Sequence, residues 1–201
     1  MSNNVFFKEK NILKGKTAPI TGAAHGVGAA ISLQLAKEGC NLLLVDCDEN
    51  KLKDTAGEIK ALGIEPILHV CNLANANERE GLFQLTTKKD ITIEILVNNV
   101  SVGFWATFMS TPEEKLEEII NVNIKCTTHL TKIFLPGMIE KNEGHIINLS
   151  STGAFIGGPH IVCYCATKAY IQSFSESLSM ELSKTGVNVL AACIGATDTH
   201  F

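Results

Sequence analysis

Short apolar runs alternate with longer amphipathic stretches along the whole chain. Residues 17–21, 41–46, 66–71, 94–98, 145–150 and 187–193 are nearly continuous in apolar positions, as strands covered on both faces are. Between them the period lengthens, and segments near 26–38, 50–62, 76–89, 112–135 and 161–184 read as helices. The first helical segment carries Val27, Ile31 and Leu35 four apart and stops at Gly39. The fourth opens with Thr111-Pro112-Glu113-Glu114, which reads as a capping box with proline at the first helical position. Repeated strand–helix units with short connections predict a three-layer α/β/α domain: a parallel sheet wound on both faces by right-handed crossovers. No linker, repeat or low-complexity stretch divides residues 1–201, so one domain is expected. Pro19 inside the first strand removes a ladder donor and predicts a local distortion there.

Composition narrows the function classes. The chain has 201 residues, 45% of them apolar, and a net charge of -4, which suits one soluble domain with a substantial core. No basic stripe is present to neutralise phosphates, which argues against a nucleic-acid partner. No apolar run approaches the roughly 18 to 20 residues a membrane span needs. The first ten residues lack a signal-peptide pattern, so a cytoplasmic location is the expectation. The seven cysteines are odd in number and contain no Cys-x-x-Cys, which reads as small buried hydrophobes rather than bridges. The six histidines share no metal-ligand spacing, and no metal is expected.

Two stretches carry chemistry. Thr21-Gly22-Ala23-Ala24-His25-Gly26-Val27-Gly28 follows the first strand directly and runs into the first helix. Glycines there let the backbone turn tightly and approach a pyrophosphate at the positive helix terminus. Asp46, eighteen residues after Gly28 at the end of the second strand, can accept both ribose hydroxyls of an adenosine and would repel a 2′-phosphate. His25 is mostly neutral at pH 7, so its help to a phosphate is small and NAD is expected over NADP, which stays possible. The second stretch is Cys163-Tyr164-Cys165-Ala166-Thr167-Lys168. A phenol and an ammonium four apart on a helix share a face, and the ammonium favours the phenolate. A tyrosine tuned that way can exchange a proton with a carbonyl or an alcohol. On an ordinary helix the same spacing is a solvated surface lysine.

With these residues in hand the chain resembles the short-chain dehydrogenase/reductase family, whose members have a Rossmann-type fold. Thr21–Gly28 is similar to the family's Thr-Gly-x-x-x-Gly-x-Gly motif, and Gly22, Ala24, His25, Gly26, Val27 and Gly28 fall within it. Asn98-Asn99-Val100-Ser101 stands where Asn-Asn-Ala-Gly is usual, Asn123 matches the active-site asparagine, and Ser151 falls where a catalytic serine is expected. Asn72 stands where many relatives carry an aspartate contacting adenine, followed by Leu73. Gly195 and Thr199 resemble a Pro-Gly-x-x-x-Thr segment that contacts the nicotinamide carboxamide, with Ile194 in place of the proline. Asn123 also shares a helical face with Leu116, Ile119, Ile120 and Leu130, which makes it an inward-facing amide in need of partners.

The resemblance implies an NAD(P)-dependent oxidoreductase interconverting a secondary alcohol and a ketone. Tyr164 would be the general acid/base, Lys168 would lower its pKa and bond the nicotinamide ribose, Ser151 would hold the substrate oxygen, and Asn123 would hold a water linking Lys168 to solvent. It also implies a homodimer or homotetramer built through the fourth and fifth helices. Relatives continue for several tens of residues past Thr199, so the C-terminal substrate-covering part is expected to be short or missing. Phe104-Trp105 and Phe155-Ile156 fit either an apolar substrate pocket or ordinary packing. The alternative reading is a catalytically weak dinucleotide-binding sensor or dimerisation scaffold, suggested by Val100-Ser101, Ile194 and the short C-terminus.

Overall fold

The computed structural model describes residues 12–195 and residue 197. Among these, six strands form one parallel sheet: β1 (Thr17–Thr21), β2 (Asn41–Asp46), β3 (Ile67–Val70), β4 (Ile95–Asn98), β5 (Gly144–Ser151) and β6 (Val187–Ile194). Their order is β3-β2-β1-β4-β5-β6. The order reverses between β1 and β4, and in open α/β sheets ligands bind outside the carboxyl ends at such a reversal. Around the sheet lie α1 (Gly26–Lys37), α2 (Glu49–Lys60), α3 (Ala76–Lys88), α4 (Glu113–Ile120), α5 (Thr127–Lys141) and α6 (Val162–Glu181).

Alternation along the strands sends residues to two separate cores. Ile20, Leu42, Leu44 and Val97 pack with Ala36 of α1 and Leu52 and Ile59 of α2. Leu43, Val45, Leu96 and Ile146 pack on the opposite face with Leu82 of α3 and Leu130, Phe134 and Met138 of α5. Both faces being covered explains why the strands lack polar alternation.

The elements follow the apolar pattern, and the departures have local causes. Pro19 pairs in register with Leu43 of β2, while β1 meets β4 at only Ile20↔Val97. Thr17 directs its N–H and its C=O to Glu94, so the alternate residue Pro19 turns its missing N–H to the same β4 side. The distortion is thus confined to that seam, where Thr21 Oγ1 instead accepts from Asn99 N and Val100 N, each at 3.0 Å. The capping box does not form: Pro112 is the N-cap without a side-chain cap, and Thr111 Oγ1 donates to Thr107 O at 2.9 Å. The helix expected to end near 135 runs through Pro136 to Lys141. Pro136 and Lys132 are both exposed, so the carbonyl that loses its partner faces water.

Between α4 and α5 the backbone winds through a π-helical segment, Asn121–Cys126. Ile119 and Met138, nineteen residues apart, are both buried on the core side. At about 100° per residue a regular helix would overshoot that span by one residue, and the π turn absorbs it. Ile120, expected on the inner face, is rotated outward and exposed.

Candidate active site at the carboxyl edge of the sheet

The turn after β1 is built by close approach. Gly22 and Gly26 have φ of +67° and +58°, a left-handed conformation that suits glycine. A Cβ on Gly28 would lie 1.9 Å from Gly22 O, and one on Gly22 would lie 2.8 Å from Asn99 Nδ2. Asn99 closes the turn, donating from Nδ2 to Thr21 O at 2.8 Å and Gly22 O at 3.1 Å. His25 is the N-cap of α1 and makes no side-chain cap, and the first turn contains no acid. The amides at this terminus are left for an anion, so the chain's own donors fit a dinucleotide pyrophosphate.

Asp46 sits at the end of β2 facing that turn. Its Oδ2 accepts from Ala24 N and its Oδ1 from Asp48 N, both at 3.0 Å. Two main-chain donors therefore fix the carboxylate, and each oxygen keeps a second lone pair. Asn72, after β3, is exposed, and its Oδ1 accepts from Ala74 N at 2.9 Å. The amide oxygen expected at the adenine is thus already bonded within its own turn. The Leu73 side chain is buried in the core, so only its main chain borders the edge.

Asn98 also lies elsewhere than expected. Its Nδ2 donates to Asn148 Oδ1 at 2.8 Å and Thr131 Oγ1 at 3.2 Å, and Asn148 Nδ2 continues to Ser175 Oγ at 2.9 Å. All four side chains are buried. This chain of amides and hydroxyls ties β4 and β5 to α5 and α6, and it keeps Asn98 in the interior instead of at the cofactor turn.

The proton-transfer group collects at the ends of β5 and α6. Ser151 Oγ accepts from Gly153 N at 3.1 Å, which leaves its O–H to donate to the Tyr164 oxygen with which it is hydrogen-bonded. Burial pushes the Tyr164 phenol up, and the bond from Ser151 pulls it partly back. Lys168 is buried: its Nζ donates to Leu149 O at 2.7 Å and stands 5.6 Å from the Tyr164 ring centroid. Burial lowers the Lys168 amine to about 8. Desolvation therefore dominates at both groups and favours their neutral forms. The expectation that lysine tunes tyrosine downward is replaced here by a serine bond.

Asn123 is buried in the π segment. Its Oδ1 accepts from Val102 N, and its Nδ2 donates to Val102 O and Thr167 Oγ1, all at 2.9 Å. Both amide donors are spent on the loop after β4 and on α6, so the side chain clasps that loop. Val100 lines the same loop. Gly195 follows β6 and is exposed, with Thr197 Oγ1 donating to its carbonyl at 3.1 Å. Thr199 lies outside the described residues.

Trp105, in the loop after β4, and Phe155 and Ile156, just after Ser151 in sequence, are exposed, and Trp105 stacks on His160 with ring centroids 5.6 Å apart. An open cleft of about 530 Å³ runs along Ala154, Phe155, Pro159, Val162 and Ala169, next to Ser151 and Tyr164 but lined by neither. Among the cysteines, 40, 71, 126 and 165 are buried as expected, whereas 47 and 193 are exposed.

Comparison with known proteins decides the family. The model of the short chain dehydrogenase family matches residues 16–201. The chain belongs to the short-chain dehydrogenase family. Among curated short-chain dehydrogenases and their relatives, it is 33% identical over 187 residues to a very-long-chain 3-oxoacyl-CoA reductase of Mycosarcoma maydis, covering 90% of this chain and 53% of that protein. It is 31% identical over 200 residues to estradiol 17-beta-dehydrogenase 11 of Macaca fascicularis, covering 96% and 66%. The chain spans about half the length of several of the curated relatives it matches. A short-chain dehydrogenase of Sphingobium yanoikuyae in complex with NADPH superposes with a TM-score of 0.86 at 29% identity, covering 92% of this chain and 72% of that one. One from Burkholderia phymatum in complex with NAD gives 0.88 at 28% identity, covering 93% and 68%. Among the described residues no helix is long and apolar enough to cross a membrane.

Proposed function

We propose that this short-chain dehydrogenase interconverts a secondary alcohol and a ketone carrying a large apolar substituent, with NAD as the preferred cofactor. The observation that carries the reading is the Ser151–Tyr164 hydrogen bond beside a buried lysine at the carboxyl end of β5. Ser151 is oriented by Gly153 N, so its hydroxyl points at the phenol oxygen, where a substrate oxygen can join the same bonding network. Tyr164 gives its proton to the ketone oxygen or takes one from the alcohol, a step worth about 10²–10⁴-fold in rate. Lys168, held by Leu149 O, supplies the proton reserve behind the ring. Bound nicotinamide supplies the hydride chemistry, while the chain supplies position and electrostatics.

For the cofactor, Gly22, Ala24, Gly26, Val27 and Gly28 form the phosphate turn, with His25 at its lip, and Asn99 holds it shut. Asp46, oriented by two main-chain donors, favours free ribose hydroxyls and repels a 2′-phosphate. Asn72 and Leu73 border the adenosine end, and Val100, Gly195 and Thr199 the nicotinamide end. The apolar substituent is suggested by the exposed Trp105 in the loop after β4, by the exposed Phe155 and Ile156 just after Ser151, and by relatives named for very-long-chain 3-oxoacyl-CoA and estradiol. Helices α4, α5 and α6 are the proposed contact faces of a homodimer or homotetramer, in a cytoplasmic setting.

Fluorescence titration with NADH and NADPH, followed by a panel of ketones of increasing apolar size, tests the reading. NADH is expected to bind more tightly, and Tyr164→Phe to keep binding while losing at least about a hundredfold in turnover. Full turnover in Tyr164→Phe would refute the role of Tyr164.

A further inference from the structure

Among the described residues, only two formally charged side chains are buried: Lys168, placed above, and Arg79 of α3. Arg79 has no carboxylate in ion-pair range among those residues. Its Nη1 donates to Leu73 O at 2.6 Å and to Ala74 O at 3.0 Å, and its Nε donates to His129 Nδ1 of α5 at 3.3 Å. The guanidinium is thus spent on two consecutive main-chain carbonyls of the turn after β3. Glu78, its neighbour on α3, holds the same turn from the other side by accepting from Asn72 N at 2.6 Å. That turn abuts the end of β2, where Cys71 N donates to Asp46 O at 3.0 Å.

We propose that Arg79, oriented by His129, is a positioning residue that sets the shape of the 72–75 turn for the adenosine half of the dinucleotide. The inference rests on the dinucleotide reading above. Folding does not require a cation at this site. Asn75 already caps α3 by accepting from Asn77 N, and an apolar side chain of similar volume is spared the cost of burying an unpaired charge. What an apolar residue cannot do is anchor the two carbonyls. His129 adds a link to α5, the helix that follows the Asn123 segment.

The test is calorimetric titration of wild type, Arg79→Met and Arg79→Lys with NADH and with ADP-ribose, alongside ligand-free thermal denaturation. Arg79→Met is expected to bind both ligands roughly 5- to 30-fold more weakly and by the same factor, since both share the adenosine. Its melting temperature is expected to fall by a few degrees at most, the stranded carbonyls being partly offset by removal of a buried charge, and Arg79→Lys is expected to recover part of the affinity through its remaining donors. Wild-type affinity in Arg79→Met overturns the proposal. So does failure of that variant to fold, or an affinity loss that tracks a loss of stability with no rescue by lysine. A wild type that binds neither ligand instead removes the dinucleotide reading itself.

Discussion

Replacing Lys168 by methionine should make the ligand-free protein less sensitive to pH and, near neutrality, more stable. Lys168 is almost fully buried, and its amine falls from 10.5 to about 8 in the folded state. The folded pKa being depressed, the unfolded chain binds more protons between these values, so stability rises with pH across that window. At about 1.36 kcal/mol per unit, burying the ammonium costs about 3 kcal/mol at pH 6.5, and about 2 kcal/mol of that is recovered by pH 9.5. Loss of the bond to Leu149 O offsets about 1–2 kcal/mol of the gain in the variant at neutral pH. Other groups act in the opposite direction. The thiols of Cys71 and Cys126, raised to about 12, lower stability as pH climbs past 9, and Tyr164 does so above 10. They do so in both proteins, so the difference between wild type and Lys168→Met isolates the lysine. Denaturant unfolding at pH 6.5, 8 and 9.5 measures it. Wild type should gain about 2 kcal/mol on the variant from the lowest to the highest pH. Parallel curves would show that the amine keeps its ordinary pKa, and the account of desolvation at this site would fall.

Three further outcomes follow from the same geometry. Gly28→Ala puts a methyl 1.9 Å from Gly22 O, so the phosphate turn must move; a loss of about 1–3 kcal/mol in stability and of measurable NADH binding is expected by denaturation and titration. Asn123→Ala strands the N–H and C=O of Val102, at about 1–3 kcal/mol each when they stay dry, and should lower the melting temperature by several degrees while speeding proteolysis in the 99–111 loop. Ser151→Ala removes the bond that pulls Tyr164 down, so the phenol should titrate at higher pH in an ultraviolet difference titration.

The strands were legible because burial on both faces leaves a compositional mark that needs no partner to be read. Gly22 and Gly28 were legible for a similar reason, since a backbone approach that excludes Cβ selects one residue type. Groups whose role depends on distant neighbours were not. Asn98 and Asn99 are adjacent and identical in type, yet pleating sends one to Asn148 and Thr131 and the other to Thr21 and Gly22. Arg79 sits in a charged stretch that reads as a solvated helix face, and its acceptor His129 lies fifty residues away. The Tyr164–Lys168 spacing was visible, but its electrostatics were not: burial, which spacing does not encode, outweighs the attraction between the two groups.

The π turn at Asn121–Cys126 makes the long helix a counting device. Nothing in its local chemistry favours the wider winding; the turn exists because a side chain on either flank must meet the sheet in phase. Removing one residue from this segment would leave a straighter and more regular helix, with α4 and α5 each still able to fold against its own neighbours. Their relative rotation would hardly change, since the spacing from Ile119 to Met138 would fall to roughly five whole turns; what would go is the widened turn itself. Asn123 would then lose the widened turn that sets it against Val102 and Thr167, although every amino acid named in the site was still present. Sequence length within a helix is therefore a heritable variable here in its own right, and a one-codon deletion can silence the site without altering any residue that defines it.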